Sequence, residues 1–129
     1  MNFSIGEFSK RTNLSPSTLR YYEQERIVFA RRDASGRRYY TEKDIDWILF
    51  IKKLKDTGMT IQAIREYALL RYQGDSTIQQ RAEILEKHKM AVVQEKAKWE
   101  HNLQNLEEKI KVYQQKLRNI QSRDRDEAE

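Results

Sequence analysis

From about Thr77 to Ile120 the chain carries neither Gly nor Pro, and one apolar seam runs the whole way. Steps alternating between four and three residues meet Ile78, Ala82, Leu85, Lys89, Val92, Lys96, Trp99, Leu103, Leu106, Ile110, Tyr113, Leu117 and Ile120. A period of 3.5 sustained over about six heptads specifies a coiled coil. Such a helix is about 60 Å long at 1.5 Å per residue. The remainder of so short a chain cannot bury it. Its far half, with Trp99, Leu103, Leu106, Ile110, Tyr113 and Leu117, therefore calls for a second copy as dimerisation partner. Lys89 and Lys96 interrupt the seam, and Met90, Val93 and Ala97 form a second strip at that level, where the helix is expected to lie against the N-terminal domain. The expected division is a folded domain over 1–75, a dimerisation helix over 76–120 and a charged, frayed tail over 121–129.

Composition agrees with an elongated, mainly helical molecule. Charged residues are 35 % of 129 and hydrophobic residues only 38 %, with 4 Gly and 1 Pro. With no cysteine, disulfides, thiolate metal sites and thiol chemistry are excluded. No apolar run approaches the roughly 18 residues of a membrane span, and Met1 to Glu7 lacks the layout of a signal peptide, so a cytoplasmic location is expected. The net charge of +5 is unevenly spread. Residues 1–40 hold eight Lys/Arg against four Asp/Glu; the rest holds 17 against 16. The excess sits where a polyanion would be met.

Local signals in the first 75 residues are dense. Ser4 and Glu7 have capping-box spacing, with Ile5 and Phe8 on one face of the helix that follows, and Asn13 suits its left-handed exit. Ser15-Pro16 starts a second helix, Ser as N-cap and Pro at the first helical position, with Leu14 and Leu19 as a staple. Leu19, Tyr22 and Arg26 share one face, leaving Ser17, Thr18, Arg20 and Tyr21 on the other. Ile27 to Arg32 and Arg37 to Tyr40 read as strands around the turn Asp33-Ala34-Ser35-Gly36, which makes a wing. Thr41 and Asp44 open a third helix, Glu42 to about Lys55, apolar enough to be buried on more than one side; Gly58 closes it. Thr60 caps a fourth, with Met59 and Ile64 as staple, ended by Gly74-Asp75.

The second helix has the chemistry of a recognition helix. Ser17 and Thr18 near its N-terminus suit phosphate, Arg20 suits a guanine edge, and the Tyr21 hydroxyl can donate to phosphate. Arg31, Arg32, Arg37 and Arg38 flank the wing turn. Because strands alternate faces, two are expected on DNA and two toward solvent or Asp33; Tyr39 and Tyr40 divide likewise, one inward and one free. Nothing points to catalysis or to a bound cofactor or metal. His88 and His101 are too far apart to ligate one metal from a helix and read as solvated, and Asp44/Asp46 and Glu107/Glu108 read as surface charges.

Taken together, Ser4 to Lys10, Leu14 to Glu23, Gly36-Arg37-Arg38-Tyr39-Tyr40 and Asp44-Ile45 through Lys55 to Thr60, followed by the long helix, resemble the MerR family of transcriptional regulators over nearly the whole chain. The resemblance implies a winged helix-turn-helix homodimer joined by an antiparallel helix pair. It implies binding to a pseudo-palindromic promoter site, where the activated dimer bends and underwinds the spacer for RNA polymerase. Carried over by position, Ser17, Thr18, Arg20 and Tyr21 contact DNA from the recognition helix, Arg38 and Tyr40 from the first wing, and Lys55 from the second; Arg32 and Arg37, from the basic wing turn, join them as candidate contacts. Trp47 to Leu54 and Tyr72 to Thr77 resemble the small aldehyde- and thiol-stress-responsive subgroup, with Lys53 where a sensing cysteine often stands. A DNA-bending accessory factor of the excisionase kind is the alternative; such factors are little more than the winged domain, and the long helix argues against it.

Overall fold

The computed structural model describes residues 1–128. Helices α1 (Ile5–Thr12) and α2 (Pro16–Gln24) precede a hairpin of β1 (Arg31–Arg32) and β2 (Arg38–Tyr39); α3 (Glu42–Asp56), α4 (Ile61–Gln73), a 3-10 turn (Asp75–Thr77) and α5 (Ile78–Ala128) complete the chain. It divides into two units, Met1–His88 and the remainder from Lys89.

Capping chemistry sets the helix starts in the first unit. The Ser4 hydroxyl accepts from the Glu7 N–H at 3.2 Å, while the Glu7 carboxylate accepts from the Ser4 N–H at 3.1 Å. The Ser4 N–H, and then the Ser4 hydroxyl beside it, favour the charged carboxylate and hold Glu7 below its usual pKa. Ser15 and Thr60 cap α2 and α4 through their hydroxyls, and Pro16 takes the first helical position of α2. The exits are equally local. Asn13 is left-handed at φ 56°. Beyond α2 the Ile27 N–H reaches the Tyr22 carbonyl at 2.9 Å and the Arg26 N–H reaches that of Glu23 at 3.0 Å. This is a Schellman exit, and Arg26 occupies its left-handed residue at φ 59°. Arg26 is therefore exposed outside the helix and does not share the face of Leu19 and Tyr22.

The core lies around α3. Ile45, Trp47, Ile48, Ile51 and Leu54 are buried, meeting Phe8 of α1, Leu19 and Tyr22 of α2, and Ile64, Tyr67 and Ala68 of α4 in one cluster. Trp47 stacks on Tyr67 at 5.8 Å, and its indole N–H donates to the Ile27 carbonyl at 2.7 Å.

Three expectations need correction. The first strand is only Arg31–Arg32; Ile27 and Val28 form a bend instead, because they are drawn into the core, at 0 % and 1 % exposed. A continuous ladder from Ile27 would put every second side chain outside. Second, the folded unit extends past residue 75. Ile84 and Leu85 of α5 pack on the core, and Arg81 bonds the Gly74 carbonyl and the Thr77 hydroxyl. The early seam positions therefore belong to the first unit. Third, residues 121–128 are helical with the rest of α5, and Arg125 in the last turn suits the negative end of the helix dipole. Glu129 lies outside the described residues.

The second unit is the single helix from Lys89. Trp99, Leu103, Leu106, Ile110, Tyr113, Leu117 and Ile120 are all 51–69 % exposed. Met90 and Val93 of this unit are exposed at 65 % and 55 %.

Candidate nucleic-acid interface

The wing owes its shape to Asp33. One oxygen of its carboxylate accepts the Ser35 and Arg37 N–H groups, both at 2.9 Å, and Gly36 turns the chain at φ 78°. The register pairs Arg31 with Tyr39 and Arg32 with Arg38. Asp33 is thus used by backbone and does not pair with an arginine side chain. A further pair, absent from the sequence reading, ties the wing down: Phe3 and Tyr40 exchange both backbone bonds at 2.8 Å.

The register puts Arg32 and Arg38 on one face of the hairpin and Arg31 on the other, and the four arginines have different partners. Arg31 bonds the Asp44 carboxylate at 3.3 Å, and Arg38 bonds that of Glu23 at 2.9 Å. Arg32 donates to the Gly36 carbonyl at 2.7 Å, and Arg37 is exposed at the tip. Asp44, expected at the surface, is buried at 6 % exposure. It accepts from the Thr41 N–H and hydroxyl as well as from Arg31. Those three donors offset the cost of taking its charge out of water.

Tyr40, expected to contact DNA, is 0 % exposed. Its ring stacks on Phe8 at 4.2 Å and its hydroxyl donates to Glu23. Burial first, and this bond to an anion second, raise its phenol far above the usual range, so it remains a neutral donor. Tyr39 is the half-exposed member of the pair.

On α2, Ser17, Arg20 and Tyr21 are exposed. Thr18 is half-buried and its hydroxyl lies 2.9 Å from that of Ser15, so the cap engages it. Arg20 and Arg38 line one open depression of about 570 Å³ with Glu23 and Gln24. Helix and wing therefore present their cations to a common space. Glu23, which sequence reasoning passed over, joins them: one carboxylate on the recognition helix holds both Arg38 and Tyr40. Its separations of 15 and 17 residues follow no secondary-structure period, so no sequence signal marks it. Lys55 is exposed near the end of α3, while Lys52 donates to the Thr12 carbonyl at 3.3 Å and braces α3 on α1. Among the described residues no group of three metal-ligating side chains exists, and no helix is long and apolar enough to cross a membrane.

A helix pair whose second helix exposes Arg20 beside a basic hairpin, with its buried side chains in one core with a third helix, is a winged helix-turn-helix. The family model for MerR HTH family regulatory proteins matches residues 3–70, and the model for the MerR DNA-binding region matches 45–109. The chain belongs to the MerR family. Among relatives of this MerR-family chain, the regulator YyaN of Bacillus subtilis is 36 % identical over 124 residues, 86 % of this chain and 90 % of its own length. AdhR of the same organism is 37 % identical over 92 residues, 70 % of this chain and 66 % of that protein. The crystal structure of HiNmlR, a MerR family regulator lacking the sensor domain and bound to promoter DNA, is similar with a TM-score of 0.78 at 31 % identity, covering 89 % of this chain and 92 % of that one. This MerR-family member is accordingly a DNA-binding transcriptional regulator and not an enzyme.

Proposed function

We propose that the protein works as a homodimer on a pseudo-palindromic promoter site, which it bends and underwinds so that RNA polymerase can use it. The observation that carries the reading is the seam from Trp99 to Ile120, apolar at heptad spacing and more than half exposed along its length. A helix with such a stripe is stable in water when a second stripe covers it. Pairing two copies related by a dyad presents two recognition helices and four wings, and a two-fold protein matches a two-fold site. Arg20 reads base edges. Ser17, Tyr21, Arg32 and Arg37 contact backbone with the Arg38 side of the depression, and Lys55 holds phosphate from the second wing. Tyr40 acts from behind, fixing the wing. Wings gripping backbone on either side of the centre supply the contacts that offset a deformation costing about 1–6 kcal/mol.

Titration of wild type, Arg20→Ala and Lys55→Ala against operator and scrambled duplex at two salt concentrations tests the assignment. Arg20→Ala is expected to reduce the specificity ratio by the ~1–3 kcal/mol of a base contact, and Lys55→Ala to weaken both duplexes equally with a shallower salt slope. An unchanged specificity ratio for Arg20→Ala refutes the recognition-helix role. A straight, normally twisted operator in both the free and effector-bound complexes refutes the bending.

A further inference from the structure

The corner between α3 and α4 is exposed over residues 55–58 and pinned inside only by Leu54 and Met59. Its backbone closes on itself: the Thr57 N–H bonds the Lys53 carbonyl, the Gly58 N–H that of Lys55, and the Met59 N–H that of Leu54. Gly58 completes the turn at φ 92°. The Thr57 hydroxyl lies 3.0 Å from the Lys53 carbonyl and 3.1 Å from that of Leu54. One side chain arrives from outside. His88 of α5 places Nε2 2.7 Å from the Thr57 hydroxyl oxygen. A hydroxyl has a single proton, and two carbonyls stand ready to take it, so the imidazole Nε2–H donates and the threonine oxygen accepts. His88 is half-buried and is the last residue of the first unit, at the point where α5 leaves it. Among the described residues this is the one side-chain hydrogen bond from α5 to the corner.

We infer that His88 is a positioning residue for DNA binding: through Thr57 it fixes the α3–α4 corner, and with it Lys55, in register with the helix that joins the two copies. The inference rests on the proposed phosphate contact by Lys55. A lysine at the end of a free corner samples many positions, and ordering it on phosphate costs conformational entropy. A corner latched to α5 removes part of that cost before DNA arrives. The latch also gives any movement of α5 a direct route to the second wing.

The test uses full-length protein and a duplex from the region upstream of its own gene, titrated at several salt concentrations. The variants are His88→Phe, which keeps a ring but removes the donor; His88→Gln, whose amide nitrogen can replace Nε2; Thr57→Val, which removes the acceptor; Lys55→Ala; and His88→Phe with Lys55→Ala. His88→Phe and Thr57→Val are expected to weaken binding alike, about threefold to tenfold for one hydrogen bond. Both are expected to make the salt slope shallower by up to about one unit per protomer. His88→Gln is expected to restore most of both. In the Lys55→Ala background His88→Phe is expected to cost nothing further. If Lys55→Ala weakens binding but the two effects simply add, or if His88→Gln is as weak as His88→Phe, His88 does not act through this corner. If Lys55→Ala itself leaves affinity and slope unchanged, the second-wing contact is wrong and the inference falls with it. Sedimentation and thermal melting of each variant separate these outcomes from loss of the dimer or of the fold; His88→Phe losing DNA binding only in step with either overturns the inference.

Discussion

Replacing Glu23 by alanine isolates the joint between recognition helix and wing. Two interactions disappear. The Tyr40 hydroxyl, on a residue that is 0 % exposed, loses its only hydrogen-bond partner. Stranding a buried donor costs about 1–3 kcal/mol. The Arg38 pair at 2.9 Å also goes, but the arginine side chain is 46 % exposed, so screening limits this part to about 0.2–1 kcal/mol. The sum is about 1–4 kcal/mol, and in a domain of 60–100 residues each kcal/mol lowers Tm by roughly 4–8 °C. Tyr40→Phe is expected to be milder, about 0.5–1.5 kcal/mol, because Glu23 keeps Arg38 and no donor is left stranded. Glu23→Gln retains an acceptor for the phenol and isolates the charge on Arg38. The decisive variant combines Glu23→Ala with Tyr40→Phe. Without a hydroxyl to satisfy, it is expected to be more stable than the sum of the two single costs by about 1 kcal/mol or more. Urea and thermal melts followed by circular dichroism, at one fixed protein concentration, give all four corners of the cycle. Strict additivity, or a Glu23→Ala cost no larger than that of Tyr40→Phe, refutes the reasoning.

Leu103→Asp or Leu106→Asp, placing a charge in the seam, is expected to shift sedimentation at micromolar concentration from dimer to monomer, at several kcal/mol; a wild type that sediments as a monomer with native helix content removes the basis for the proposed dimer. Arg26→Gly is expected to stabilise the protein by about 0.5–1 kcal/mol, because relief of the left-handed strain at φ 59° exceeds the entropy that glycine adds to the unfolded chain; a fall in the urea midpoint contradicts this. Glu7 has a lowered folded pKa, so its contribution is present above the unfolded carboxylate value near 4.5 and is lost as pH falls through the folded one. Acid melts are therefore expected to show a weaker pH dependence below about pH 4.5 in Glu7→Gln than in wild type. Tyr22, Tyr40 and Tyr72 all have raised phenol pKa values, chiefly from burial, so ultraviolet titration is expected to find all three ionising above the free tyrosine range, Tyr40 last.

The sequence by itself determined the helices, their boundaries up to the end of α5, and the seam, because these depend on neighbours at most four residues away. Ser4 with Glu7, Ser15 with Pro16, Thr60, Asn13 and Gly58 each act on the turn they sit in, and the structure places each where local chemistry puts it. The family was legible for a related reason, since the resemblance rests on short stretches with fixed local roles. What only the tertiary structure decided is which side of an alternating pair faces in. Period two separates Tyr39 from Tyr40 and Arg37 from Arg38 but does not say which is buried; that choice fell to Phe8, whose ring takes Tyr40, and to Phe3, which pairs with its backbone. Ile27 and Val28 read as strand and fold as a bend because the core beside Trp47 had room for both side chains, and burial outweighs β-propensity. Glu23 carried no signal and His88 read as solvated, yet they meet Tyr40 and Thr57 across 17 and 31 positions. Contacts at such separations leave no period in the chain, because their geometry comes from how whole helices pack and not from the turn in which either residue lies.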